Sequence, residues 1–186
     1  LWVEAARAAD HADVNLVAFE GRSIDNPGTE LQHNIVYDLL RRFPADGYYV
    51  LSSQIGNYVG DVRIREFCAP LVATGRPVLS SGTEVPGTTS LLVDNRSGMS
   101  SLMDHLIEVH GYRRLAFVKG PERHLEAIDR FEAYRDALSR HGIPFDDALV
   151  NEGDFSPNCG SEALDGLYRS GVLPVDCIVC ANDETA

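Results

Sequence analysis

Short apolar runs of strand length alternate along the whole chain with segments of helical period, and this alternation limits the possible folds more than any other feature. Strands separated by helices are typical of an α/β fold in which helices flank parallel sheets. The predicted strands span residues 14–20, 47–52, 76–79, 90–93, 114–119, 148–152 and 176–180. The predicted helices span residues 2–11, 30–42, 61–74, 98–110, 126–141 and 161–170.

The helix predicted over residues 98–110 has the clearest amphipathic pattern. Its apolar residues recur at i, i+3, i+4, i+7 and i+8, which gives one buried face, and these residues are Met99, Leu102, Met103, Leu106 and Ile107. Asp94 and Asn95 precede it and can cap its free amides, and Gly111 can end it. The methionine pair is therefore interpreted as core and not as a soft metal site.

Several predicted strands run directly into small or polar residues. In open parallel sheets, ligands bind at the carboxyl ends of the strands, so these junctions predict a cleft, although any one of them could simply turn the chain. Ser53 and Ser81 are candidate ligand contacts there. The junctions are Glu20-Gly21-Arg22, Ser52-Ser53-Gln54, Ser80-Ser81-Gly82, Lys119-Gly120-Pro121 and Ala181-Asn182-Asp183.

The strand-helix pattern occurs twice, which predicts two lobes. We place an N-terminal lobe at residues 1–93 and a C-terminal lobe at residues 94–186, with a hinge near Val93-Asp94-Asn95. The last predicted strand is followed by Asn182-Asp183-Glu184, a helix opening without a helix after it. Both lobes are therefore expected to be incomplete.

The chain carries a formal net charge of -12, with 16 Lys and Arg against 28 Asp and Glu. This charge repels phosphate backbones and anionic lipids, so we expect this chain to bind neither nucleic acid nor a membrane. No apolar run approaches the ~20 residues that span a bilayer, and the first residues lack signal-peptide features. These observations favour a cytoplasmic location.

Enzyme and metal signatures are missing from the sequence. It contains no P-loop, G-x-G-x-x-G, H-E-x-x-H or G-x-S-x-G motif, so neither catalysis nor a cofactor is expected. His105 and His110 are placed on one helix but five residues apart, a poor fit to the i, i+4 spacing of metal ligands, and no metal site is predicted. Cys177 and Cys180 form a C-x-x-C sequence inside a strand, where they point to opposite faces and are read as structural cysteines.

From Ser90 onward, the order of motifs resembles a known family. Leu92-Val93-Asp94-Asn95 is followed by His105-Leu106-Ile107 and by the run Gly111–Gly120, then by Arg130-Phe131-Glu132-Ala133-Tyr134, Gly153-Asp154-Phe155-Ser156 and Ala181-Asn182-Asp183-Glu184. This set resembles the effector-binding domain of the lactose-repressor (LacI/GalR) family, which is related to periplasmic sugar-binding proteins. Two segments are more similar to those of variant sensor domains that are fused to signalling output modules. They are the loop of residues 56–60 and Gly120-Pro121-Glu122.

The resemblance implies three ligand contacts. Arg130 matches the family's arginine that hydrogen-bonds the effector. Phe155 matches an aromatic residue that packs on a sugar or base. Asn182 matches a residue whose amide, at the end of a strand, faces the cleft. Three plainer roles stay open: Arg130 in a surface ion pair, Phe155 in the core, and Asn182 as a helix cap. Ala133 replaces a usual glycine, and the resemblance places further strands before Leu1 and after Ala186.

We therefore expect a ligand-sensing domain of a bacterial transcriptional or signalling regulator. A sugar-like or nucleoside-like molecule would bind between the lobes, and lobe closure would signal to a DNA-binding or signalling domain elsewhere in the full-length protein. The resemblance also implies a homodimer. The alternatives are a solute-binding receptor of a transport system and, with less support, a nucleotide-sugar enzyme. The ligand's identity does not follow from the sequence.

Overall fold

The computed structural model describes residues 2–26, 31–40, 42–156 and 158–186, with the side chains of residues 2, 31 and 32 left undescribed. Two three-stranded parallel sheets form its framework. The first contains β1 (Tyr48–Val50), β2 (Val78–Ser81) and β3 (Thr89–Leu91) in the order β1-β2-β3. The second contains β4 (Leu115–Val118), β5 (Val150–Asn151) and β6 (Cys177–Cys180) in the order β5-β4-β6. These sheets confirm the predicted α/β class and six of the predicted strands.

Helices connect the strands as the periodicity predicts. They are α1 (Trp2–His11), α2 (Val36–Leu40), α3 (Ser52–Ile55), α4 (Asp61–Val72), α5 (Asn95–Glu108), α6 (Leu125–Arg140) and α7 (Cys159–Arg169). The described residues also include two 3₁₀ helices, Leu31–Ile35 and Asp147–Leu149. The helix predicted over residues 30–42 is a 3₁₀ turn followed by α2, and its residues Glu30 and Arg41 lie outside the described residues. The short helix α3 was not predicted.

The strand predicted over residues 14–20 is wrong. This segment has no regular secondary structure, and Val14, Leu16 and Val17 are 59%, 48% and 52% exposed. A strand needs ladder hydrogen bonds to a neighbour, and no described segment pairs with residues 14–20. The apolar pattern is therefore present without the partner that would make it a strand.

Helix α5 begins and ends earlier than predicted. Asp94 is its N-cap, and the carboxylate accepts a hydrogen bond from the Ser97 amide at 3.0 Å. The helix ends at Glu108, and Gly111 takes a φ of +72° beyond it. The prediction that His105 and His110 share this helix is thus wrong, since His110 lies past its end. Met99, Met103 and Ile107 are buried as expected.

The core of the second sheet lies between β4 and helices α5 and α6. All four residues of β4 are buried, and Tyr134 of α6 packs its ring against Phe117 at a centroid distance of 4.8 Å. The Tyr134 hydroxyl donates a hydrogen bond to the Leu115 carbonyl at 3.0 Å, and burial raises its pKa to about 12. The buried Tyr134 ring holds α6 on the sheet, with this hydrogen bond as a smaller contribution, and so helps to position Arg130 one turn earlier on the helix.

The first sheet packs on α4 through Ile64, Cys68 and Leu71. A hydrogen bond of 2.7 Å joins the buried hydroxyls of Ser52, the first residue of α3, and Ser80 of β2.

The second sheet contains the two cysteines of the C-x-x-C sequence. Cys177 and Cys180 are free and half-buried in β6, so their predicted placement in a strand is confirmed. Within the described part of the chain, no helix is both long enough and apolar enough to span a membrane.

Candidate functional site

Arg130 lies at the point where α6 passes the carboxyl end of β6. Its Nη1 donates to the Ala181 carbonyl at 2.6 Å, just after β6, and its Nε donates to Oδ1 of Asn95 at 2.8 Å. The guanidinium is half-buried and has five N–H donors, of which these contacts use two. The remaining donors are available to a ligand. The structure gives Arg130 no side-chain ion pair among the described residues.

Asn95 connects this arginine to the segment that joins the two sheets. Asn95 is only 8% exposed, and its Nδ2 donates to the Val93 carbonyl at 3.2 Å and to Oε1 of Glu126 at 3.3 Å. Residues 92–94 form the connection from β3 to α5. The Asn95 amide thus links the crossing between the sheets to two side chains of α6, and buried polar groups satisfied in this way fix a local arrangement.

Arg130 and Asn182 line one open cavity of about 570 Å³ beside β6. Its volume falls within the range of small-molecule sites. The Oδ1 of Asn182 also accepts a hydrogen bond from the Thr185 amide at 3.0 Å, so this residue caps the following turn and borders the cavity as well. The other lining residues are Val93, Asp94, Asn95, Gly98, Met99, Leu102, Leu106, Cys177, Ile178, Val179, Cys180, Ala181, Asp183 and Ala186.

Phe155 lies apart from this cavity. Its ring packs so closely on Gly120 that a Cβ there would overlap it, and it meets the His124 ring edge-on at 5.2 Å. The Phe155 backbone has a φ of +63°, which non-glycine residues seldom adopt. Because the ring also packs on the core of the second sheet, the plainer core role has support in the structure.

Ser53 faces a second, much smaller pocket between the sheets. Ser53 and Gly82 border it from the first sheet, and Arg123, His124 and Glu126 border it from the second. The pocket holds about 10 Å³, which is room for roughly one water molecule. Ser81 lies in β2 and is paired with Leu91. The structure therefore brings Arg130 and Asn182 together but leaves Ser53, Ser81 and Phe155 outside their cavity.

His124 is buried beside this small pocket and is held in its neutral form. Its Nδ1 accepts a hydrogen bond from the Ala127 amide at 3.2 Å, which caps α6, and burial lowers the pKa of the imidazole. The unfolded chain binds a proton here near pH 6.5 and the folded chain does not. Stability is therefore complete above pH 6.5 and falls as the pH drops toward the lowered pKa.

We expect this histidine to contribute at most about 1.4 kcal/mol per pH unit to that loss, since it binds one proton. In His124→Asn, the asparagine can still cap α6 but does not titrate, so the slope of unfolding free energy between pH 6.5 and 5 should decrease. Urea unfolding at several pH values measures it, with His11→Gln as an exposed control. An unchanged slope in His124→Asn would contradict the assignment.

Residues 68–186, more than half of the chain, match the sequence model of a family described as periplasmic binding proteins and sugar binding domain of LacI family. The chain belongs to this family. The LacI-type resemblance found in the motifs from Ser90 onward is therefore confirmed, and the two parallel sheets are the framework expected of it.

Relatives of this LacI-family chain are named as transcriptional regulators. The HTH-type regulator CelR of Thermobifida fusca is 32% identical over 114 residues, which are 61% of this chain and 32% of CelR. The HTH-type repressor CytR of Escherichia coli K12 is 26% identical over 155 residues, 83% of this chain and 43% of CytR. The chain thus spans well under two thirds of these relatives.

Solved structures of LacI-family regulators share the fold. One from Mycobacterium smegmatis gives a TM-score of 0.76 at 24% identity over 97% of this chain and 62% of that chain. A complex of the regulator CelR with cellobiose gives a TM-score of 0.67 at 27% identity over 84% of this chain and 46% of that chain. That structure is of CelR in complex with cellobiose.

Sequence reasoning on this LacI-family chain missed two residues of the site. Asn95 was read with Asp94 as a helix cap, but Asp94 alone caps α5 and Asn95 contacts Arg130. No role is predicted for His124 from the sequence, although its place just before α6 favours a capping role. Among the described residues, no group of three or more His, Cys, Asp or Glu side chains is placed to hold a metal ion.

Asn95→Ala is expected to lower the free energy of unfolding by about 1–3 kcal/mol, because it leaves the Arg130 and Glu126 side chains without their buried partner. Urea unfolding measures the loss. A double-mutant cycle with Arg130→Ala should give a coupling energy of about 0.5–3 kcal/mol between the two sites. Purely additive effects would show that the hydrogen bond between them contributes nothing to stability.

Proposed function

We propose that this chain is the effector-binding part of a bacterial LacI-family transcription regulator and binds a sugar-like or nucleoside-like molecule. The observation that carries the proposal is the convergence of Arg130 and Asn182 on one cavity beside β6. The free guanidinium donors and the amide can bind ring hydroxyls, base edges or a carboxylate. Phe155, Ser53 and Ser81 lie outside this cavity in the structure, and in this proposal they reach the ligand only when the two lobes close on it.

The ligand acts by favouring a closed arrangement of two lobes, residues 1–93 and 94–186. A ligand shifts this equilibrium only by the difference between its affinities for the open and closed forms. The hinge lies near Val93, Asp94 and Asn95, where Asn95 contacts both the Val93 carbonyl and Arg130. A ligand bound to the Arg130 guanidinium is therefore connected to the hinge through the side chain of Asn95.

The output lies in another part of the full-length protein. Relatives named as HTH-type regulators support a DNA-binding domain there, and dimerisation with a second copy and a cytoplasmic location complete the proposal. This chain's own charge of -12 opposes direct contact with DNA. The domain senses its ligand without turning it over and needs no cofactor, in keeping with relatives that are named as regulators.

A solute-binding receptor of a transport system is the second candidate, because the family description includes periplasmic binding proteins. Such a receptor would use the same cavity to deliver a solute to a membrane permease. The sequence adjoining this chain in its gene separates the two, since a DNA-binding module supports regulation and a secretory leader supports transport.

A thermal-shift screen tests the proposal. The panel contains cellobiose, other mono- and disaccharides, nucleosides and amino acids, each followed by calorimetric titration where a shift appears. A ligand at 100 times its Kd stabilises the folded state by about 2.7 kcal/mol. We expect at least one sugar or nucleoside to raise the Tm with one-to-one binding. No response across the panel would overturn the sensing function.

A further inference from the structure

Two histidines at the far end of α5 lie close enough to share one ion. His105 is in the last turn of α5, and His110 lies two residues past its end. The chain turns back there, and the two Nε2 atoms are 3.1 Å apart with the rings nearly perpendicular at 84°. The five-residue spacing, a poor one within a helix, therefore brings both imidazole nitrogens to one place.

This separation suits chelation of one metal ion. With metal–nitrogen distances of about 2.0–2.1 Å, two nitrogens 3.1 Å apart subtend about 100° at the ion. That angle lies between the octahedral and tetrahedral values, so both nitrogens can bind one ion once the rings rotate from facing each other to facing the ion. Both side chains are exposed, which leaves the remaining coordination positions open to water.

The turn that carries His110 is held in place by contacts of its own. The His110 ring stacks on Tyr112 at 5.3 Å and 21°, and the Tyr112 amide donates to the Leu106 carbonyl at 3.2 Å. Arg113 Nη1 also donates to the Ile107 carbonyl at 3.0 Å. Because the second ligand is already positioned by these contacts, binding an ion costs less conformational entropy than joining two free side chains.

We propose that His105 and His110 form a two-histidine surface site for a divalent transition-metal ion such as Zn²⁺, Ni²⁺ or Cu²⁺. Imidazole nitrogen suits these ions and discriminates against Mg²⁺ and Ca²⁺. Without metal, one Nε2–H donates to the other ring. On metal binding, the donating ring loses its Nε2 proton to solvent and takes one from solvent at Nδ1, so both Nε2 lone pairs bind the ion without net proton release.

The site is separate from the proposed effector cavity. Neither His105 nor His110 is among the residues that line that cavity, although the cavity extends along α5 as far as Leu106, the residue next to His105. An ion here would join the end of α5 to the turn before β4. The two proposals can therefore fail independently.

Calorimetric titration of the chelator-stripped chain with ZnCl₂ tests the site. We expect one-to-one binding, and a loss of at least about tenfold in affinity in both His105→Gln and His110→Gln, since loss of even an outer contact costs that much. His11→Gln, an exposed histidine at the end of α1, should bind as the unmodified chain does. Equal binding in the double variant His105→Gln/His110→Gln would mean adventitious metal only and would overturn the site.

Cu²⁺ gives a second readout that does not depend on affinity. The electron paramagnetic resonance spectrum should show two equatorial nitrogens in the unmodified chain and one in each single variant. Amide exchange over residues 109–112 should slow with metal only when both histidines are present. A single-nitrogen spectrum in the unmodified chain would refute shared coordination.

Discussion

Arg130→Ala should weaken binding of the effector by roughly 100-fold, or about 3 kcal/mol. A hydrogen bond to a charged group contributes about 1.5–3 kcal/mol, and the guanidinium has free donors at the cavity for more than one such bond. The substitution also leaves the Asn95 Oδ1 and the Ala181 carbonyl without their donor. Calorimetric titration with the ligand found in the screen measures the change.

Two further variants separate recognition from general damage. Arg135→Ala removes an arginine five residues further along α6 that pairs with Glu132 on the surface, and it should leave affinity unchanged. Arg130→Lys keeps the charge but loses the planar fork, so we expect an intermediate loss. If Arg130→Ala binds within threefold of the unmodified chain while it remains folded, Arg130 does not contact the effector.

Local patterns predicted most of the framework because the deciding interactions are short in sequence. The spacing of Met99, Met103 and Ile107 specifies a buried helix face, and all three are buried. Leu102 belongs to the same pattern but is 43% exposed and borders the cavity. Periodicity predicts which face of a helix points toward the core. How much of that face is buried depends on the elements that pack against it.

Pairing between distant segments could not be predicted in this way. Residues 14–20 have the apolar character of a strand, but a strand also requires an adjacent chain, and none is described there. The histidine pair shows the reverse case. A spacing of five residues would keep His105 and His110 on different faces of a continuous helix. Because α5 ends at Glu108 and the chain turns, the two rings come together.

The candidate site is predictable in part. The family resemblance identified Arg130 and Asn182, which the structure places on one cavity. The link from Asn95 to Arg130 spans 35 residues in sequence, and the link from Arg130 to Ala181 spans 51. Contacts of such length depend on how α5, α6 and β6 pack, so no local pattern indicates them.

Tyr134→Ala is expected to lower the free energy of unfolding by about 3–5 kcal/mol, the usual cost of deleting a fully buried aromatic side chain. The ring is completely buried and packs against Phe117 and Phe131, and the structure around such a deletion relaxes only in part. Urea unfolding gives the loss of stability. Tyr168→Ala, at a tyrosine of α7 that is 75% exposed, should change stability by less than about 0.5 kcal/mol.

Tyr134→Phe divides this effect into packing and hydrogen bonding. It keeps the ring and removes only the hydroxyl that donates to the Leu115 carbonyl, so we expect the free energy of unfolding to fall by about 1–2 kcal/mol.

The packing of the Tyr134 ring should also affect effector binding. Arg130 lies one turn before Tyr134 on α6, and a helix that loses the buried ring no longer holds the guanidinium beside Ala181. Tyr134→Ala should therefore also weaken effector binding under conditions where it stays folded, whereas Tyr134→Phe should not. Equal affinity in both variants would show that the position of Arg130 does not depend on this packing.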